Sequence, residues 1–186
     1  CLRSMFQDFS IYEEGYARFT SDKRKVEWLA VRALLKELCG EEKSVSYYPS
    51  GKPYLTDGSA RISFSHTQGY VAVAVHPCKE VAVDIEQYGT RVKRVAHKFI
   101  RGDEQIPIDP LQEIQALLLH WSAKETLYKL LDKEGVDFIR HLQVFPFELV
   151  EEGEFVACEH LTEQNECFPV HYHTHPHYVL TYASRP

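Results

Sequence analysis

Twice along this 186-residue chain a helix-period pattern gives way to strand-period ones, and that order restricts the fold to the α+β class. In residues 21–39, SDKRKVEWLAVRALLKELC, the side chains Val26, Leu29, Ala33, Leu34 and Leu38 recur at helical spacing. Ser21 is suited to cap that helix and Gly40 to end it, which would place Arg24, Lys25 and Arg32 on its polar side. Short strands are expected at 45–48, 60–65, 70–75 and 80–86, with a turn at 49–53. The continuous apolar run at 70–75 reads as a buried central strand. Helices follow at 92–100 and 110–131, the second with Asp109 as cap and Pro110 in its first turn. Beyond Gly135 the pattern turns to strands at about 142–150, 153–158, 168–174 and 177–183. The expectation is two α+β halves, 1–79 and 80–186, with no flexible linker between them and no detectable sequence repeat.

Composition narrows the function classes. A net charge of −6 argues against a general nucleic-acid binder, and no run approaches the ~20 apolar residues that span a bilayer. The start, CLRSMFQDFS, lacks an apolar core behind a basic stretch, so it does not read as a signal peptide. Its opening on Cys1 rather than Met reads as processing or trimming. Five cysteines, an odd number without CxxC spacing, point to reduced thiols and a cytoplasmic location.

Four short segments hold residues able to carry chemistry. In VAVDIE a strand would send Asp84 and Glu86 to one face, able to share a hard cation, although Glu80 has the same parity and a solvated face would look alike. In WSAKETLYK a helix would align Trp121, Glu125 and Lys129, flanked by Lys124 and Tyr128; an ordinary Glu–Lys surface pair reads the same way. In SFSHTQGY, Ser65 and His66 end a strand where a phosphate could be held, yet no P-loop or GxGxxG accompanies them. In GKPYL, Lys52 is fixed at a turn corner. Further along, His171, His173, His175 and His177 alternate as zinc ligands might. Pro169 and Pro176 interrupt that stretch, no completing ligand is obvious, and an exposed edge strand is the better reading.

Taken together and in order, these segments resemble the Sfp-type family of 4′-phosphopantetheinyl transferases. The resemblance rests on Gly51-Lys52-Pro53, Ser65-His66-Thr67, Val83-Asp84-Ile85-Glu86, Phe99 and Glu104 of HKFIRGDE, and Trp121-Ser122-Ala123-Lys124-Glu125 with Lys129. It spans about residues 20–183; Thr67, Ser63 and Ala82 depart from the usual pattern, and the stretch before the Gly-Lys-Pro turn is short.

The resemblance implies two pseudosymmetric halves, each a helix on a small, mainly antiparallel sheet, in a monomer with coenzyme A in the cleft between them. The first half would hold the 3′-phosphate and adenine, the second the metal and catalytic groups. Lys52, Ser65, His66, Lys124 and Lys129 would contact coenzyme A, with Arg24 and Arg32 as further contributors. Asp84, Glu86 and Glu125 would bind Mg²⁺, and Glu125 or water held by it would activate the serine of an apo acyl or peptidyl carrier protein, with Lys129 stabilising charge on the phosphate. Arg91, Lys93, Arg94, Lys98 and Arg101 form the candidate carrier-facing patch, or else a solvated helix face. Two other classes stay open: a non-catalytic module of the same fold that binds coenzyme A or carrier proteins, and a histidine-rich metal-binding protein.

Overall fold

A computed structural model describes residues 2–185; Cys1 lies outside them. The fold is α+β, and every strand pairing is antiparallel. Helix α1 (Ser10–Ala17), which the periodicity does not announce, follows a 3-10 turn. Its Tyr12 and Tyr16, with Phe6 and Phe9 just before it, pack onto Trp28, Leu29 and Ala33 of helix α2 (Asp22–Cys39). Gly15 is where they touch most closely, since a Cβ there would lie 2.6 Å from the Trp28 ring.

Ser21 takes the N-cap position of α2 in an extended conformation but makes no side-chain capping bond, and Gly40 closes the helix with φ +73°. Two sequence expectations fail on this helix. Val26 and Leu38 are exposed, whereas Arg32 is buried: its guanidinium stacks on Trp28 at 4.0 Å and donates to the Tyr47 hydroxyl at 2.9 Å. Burial lowers its proton affinity. An aromatic shelf can bury an arginine stem that periodicity alone assigns to water.

Strands β1 (Val45–Tyr47) and β2 (Pro53–Leu55) form one hairpin, β3 (Arg61–Thr67) and β4 (Tyr70–His76) a second. The apolar run at 70–75 is therefore not a central strand; β4 has one partner strand and packs against α2 and the strand at Glu80–Gln87. The main sheet has the order β5-β9-β8-β7-β6, with β5 (Glu80–Gln87), β6 (Leu142–Val144), β7 (Glu152–Glu159), β8 (Cys167–His175) and β9 (Tyr178–Arg185). Helix α4 (Pro110–Leu131) lies across β5 and β9, its first N–H groups capped by the Asp109 carboxylate. Its buried side, with Leu119, Ala123 and Leu127, meets Ala82, Leu142, Val170 and Val179 in the largest core. The expected helix at 92–100 is shorter: α3 (Arg91–Val95) runs into a 3-10 turn, and the strand from 142 stops at Val144.

The junction between the β3–β4 hairpin and the main sheet is made by side chains. Ser63, Ser65 and Thr67, alternate residues of β3, accept hydrogen bonds from the backbone N–H groups of Val83, Ile85 and Gln87. Three hydroxyls thus satisfy donors on the outer edge of β5. Helix α4 packs on Ala82 and the β3–β4 hairpin on Val83 and Ile85, so Val81, Ala82, Val83, Asp84 and Ile85 are all buried. The solvated face that alternation allowed does not exist.

Two further expectations are corrected. Strand β8, expected at an edge, is interior. Pro169 is tolerated because it pairs only with Val156 of β7, the β9 ladder beginning at His171. His171 and His173 face Glu154 and Glu152 across the ladder at 3.1 Å each. The cysteines are not all thiols: Cys158 and Cys167 are register partners with Cα atoms 4.0 Å apart and form a disulfide, while Cys39 and Cys78 are free. Cysteine usage therefore gives no support for a reducing compartment. Among the described residues no helix is long and apolar enough to cross a membrane.

Candidate functional site

The inward-facing carboxylate of β5 is the centre of the site. Asp84 is 4% exposed. Its Oδ1 accepts from Lys129 Nζ at 2.7 Å and from Ser65 Oγ at 2.9 Å, whereas Oδ2 is buried without a hydrogen-bond partner. Lys129 reaches β5 from the C-terminal end of α4 and also donates to the Val83 carbonyl at 3.0 Å. Two residues along the strand, Glu86 Oε1 accepts from the Trp121 indole N–H at 2.7 Å.

Three carboxylates repel one another here. Glu86 is pushed up to about 7 by burial, then by the charge on Asp84, with Glu125 adding to it. Glu125, whose side chain makes no hydrogen bond among the described residues, is also raised, by burial and then by Asp84. The strand and the helix thus bring Asp84, Glu86, Glu125 and Lys129 together electrostatically.

The coenzyme A residues expected from sequence divide into three places. Lys52 and Lys129, with Lys133, line a cleft of about 450 Å³ between the turn at 49–53 and the end of α4. Lys52 is also paired with Glu80 at 2.6 Å, and Arg61 with the same carboxylate at 2.9 Å. His66 stands apart: it is exposed, and its Nε2 is 3.0 Å from an Arg24 nitrogen.

Lys124 is elsewhere altogether. Its ammonium is wholly buried and donates to the Phe99 carbonyl at 2.6 Å, to Glu104 at 2.9 Å and to the Phe138 carbonyl at 3.2 Å. An ammonium has three protons, so none is left for a phosphate. The expected coenzyme A contact is replaced by a buried ion pair, and Glu104 also accepts from the N–H groups of Arg101 and Val144. Phe99 and Glu104, picked out by pattern, are thus the structural socket of Lys124.

Sequence reasoning missed Lys133 in the cleft and the Trp121–Glu86 bond. The second had a signal, since Trp121 lies one turn before Glu125 on the same stripe. Of the basic patch, Lys93 pairs with Glu113 and Arg101 with Asp103, while Arg91 and Lys98 line a groove of about 720 Å³ beside Glu86, Trp121 and Phe138.

Residues 80–183, which contain β5, α4 and the rest of the main sheet, match the 4′-phosphopantetheinyl transferase superfamily. The chain belongs to that superfamily. That makes it a phosphopantetheine transferase, of a family that uses coenzyme A as substrate and acts on carrier proteins. No curated protein matches the chain.

Among the described residues no three His, Cys, Asp or Glu side chains are arranged to hold a metal as they stand. The donor set nonetheless fits a hard dication. Among the described residues Asp84 keeps a buried oxygen without a hydrogen-bond partner, and Glu86 and Glu125 are both pushed toward protonation by burial and then by the charge on Asp84. His173 Nδ1 is also buried without a hydrogen bond, but the alternating histidines gather no carboxylate cluster: His171 and His173 each face one glutamate at 3.1 Å.

Proposed function

We propose that this transferase is of the Sfp type and moves the 4′-phosphopantetheine arm of coenzyme A onto a serine of an apo acyl or peptidyl carrier protein, releasing 3′,5′-ADP, in the cytoplasm. The observation that carries the reading is the orphaned Oδ2 of Asp84 beside Glu86 and Glu125. These three would hold Mg²⁺. Bound there, the ion would neutralise the pyrophosphate and favour departure of the nucleotide.

The chain's own groups divide the remaining work. Lys52 and Lys129 supply ammonium groups to a cleft wide enough for phosphates. Lys129, already at Asp84, would follow the charge that builds on the transferred phosphoryl oxygens. Arg24, which donates to His66 Nε2 at 3.0 Å and to Glu27 at 3.2 Å, would turn with His66 toward the 3′-phosphate. Glu125, a carboxylate whose side chain makes no hydrogen bond among the described residues, or water held by it, would take the serine proton. In this reading the boundary at residues 79–80 separates a nucleotide-holding half from a metal-holding half, pseudosymmetric in a monomer.

The test is to incubate the protein with Mg²⁺, coenzyme A and a panel of apo carrier proteins and to weigh the products. The expected result is the phosphopantetheine mass on one serine, abolished by Asp84→Ala or Glu125→Ala. Normal transfer by either variant would end the metal assignment. The carrier that gains mass names the pathway class.

A further inference from the structure

The family resemblance implies that Ser65 contacts coenzyme A, and its hydrogen bonds point to a different role. A serine hydroxyl has a single proton to give. Here that proton goes to Asp84 Oδ1 at 2.9 Å in a buried bond, and Ser65 Oγ in turn accepts the Ile85 N–H at 3.3 Å. Phosphate oxygens accept hydrogen bonds, so a phosphate could engage the Ser65 hydroxyl only by taking it from Asp84. Resting on the reading of Asp84 as a metal ligand, we infer that Ser65 is a positioning residue, which fixes the Asp84 carboxylate with Oδ1 satisfied and Oδ2 free for the ion.

The geometry makes this specific to Ser65. Three hydroxyls at alternate positions of β3 accept from β5, but Ser63 and Thr67 have no bond to a site carboxylate. Among the described residues only Ser65 bonds Asp84 from an element other than the strand and helix that carry the carboxylates. The β3–β4 hairpin thus enters the metal site through one hydroxyl, and the rotamer of Asp84 depends on that hairpin being docked. Partners of this kind behind a metal ligand typically change metal affinity by about 10–100-fold.

The experiment uses the full chain and two probes: Mn²⁺ alone, read by its electron paramagnetic resonance signal, and 3′,5′-ADP in the presence of a chelator. Ser65→Ala is expected to lower Mn²⁺ affinity about tenfold and leave 3′,5′-ADP affinity unchanged. Thr67→Val removes a ladder bond of the same kind without touching Asp84, and is expected to bind Mn²⁺ like the parent protein. Normal Mn²⁺ binding by Ser65→Ala overturns the inference, as does a selective loss of 3′,5′-ADP, which would make the hydroxyl a phosphate ligand. An equal loss of Mn²⁺ affinity in Thr67→Val overturns it too, because hairpin docking alone would then be the cause. Asp84→Asn separates the two levels. If it binds Mn²⁺ as the parent does, the metal reading itself falls; if it binds weakly while Ser65→Ala is normal, only the positioning role falls.

Discussion

Lys129 Nζ lies 2.7 Å from Asp84 Oδ1 and makes the internal counter-charge of a carboxylate that is 4% exposed. A buried carboxylate without a cation is costly, and a carboxylate with two cations competing for it is held more loosely by each. The ammonium and an incoming dication therefore act on the same group.

That competition gives the first prediction. Lys129→Met should lower stability in metal-free buffer by about 2 kcal/mol, reduced from the fully buried case because the lysine side chain is 27% exposed. Saturating Mg²⁺ should restore most of the loss, since the ion then supplies the missing charge. Urea unfolding with and without Mg²⁺ is the measurement. A deficit that Mg²⁺ leaves untouched would mean that ammonium and ion do not share Asp84.

Lys124 gives the second. Its partner Glu104 and the carbonyls of Phe99 and Phe138 hold the 99–104 segment, the loop after α4 and α4 itself at one point. Removing one member of a wholly buried pair costs about 3–5 kcal/mol. Lys124→Met should therefore unfold at much lower urea, while the folded fraction keeps its coenzyme A affinity. Combining it with Glu104→Gln should cost less than the two single losses added together. A stable Lys124→Met protein with weakened coenzyme A binding would return Lys124 to the phosphate site.

What could be read from the sequence was local. Asp109-Pro110 fixed the start of α4, and β5 showed its alternation plainly. What could not be read depended on what packs against each element. The alternation of β5 could not reveal that the β3 hydroxyls cover its edge, because Ser63, Ser65 and Thr67 declare nothing until the strands meet. Lys124 and Lys129 are the same residue type on one helix and match one motif, but five positions turn them about 140° apart, so one faces the core socket and the other the site. Cys158 and Cys167 carry no motif, and only the β7–β8 register sets them face to face.

The disulfide follows from that register and gives the third prediction. Cys158 and Cys167 are separated by 9 positions, and closing a loop of this length in the unfolded chain is worth about 2–3 kcal/mol. Cys158→Ala, or reduction of the parent protein, should lower stability by that amount with little effect on transfer, since the bond lies on the far strands of the main sheet. Stability that is identical in oxidising and reducing buffer would show that the pair is not bonded in solution.

The last prediction concerns pH. The Glu86 carboxyl is pushed up to about 7 in the folded chain by burial and by the charges of Asp84 and Glu125, from an ordinary value of 4.5. Between those values the folded state binds the extra proton and the unfolded state does not, so stability falls as pH rises. The contribution is complete below about pH 4.5 and is lost as pH passes through 7. At about 1.4 kcal/mol per unit, the loss is at most ~3 kcal/mol. Glu125 is shifted in the same direction and steepens the fall. A bound dication would hold both groups ionised, lowering their folded values and flattening the curve. Stability measured from pH 4.5 to 8 should therefore decline in metal-free buffer and stay nearly level in Mg²⁺. Glu86→Gln, which keeps an acceptor for the Trp121 indole, should lose much of the slope and remain stable at pH 8. A slope unchanged by both Mg²⁺ and Glu86→Gln would show that these carboxylates neither crowd one another nor share an ion.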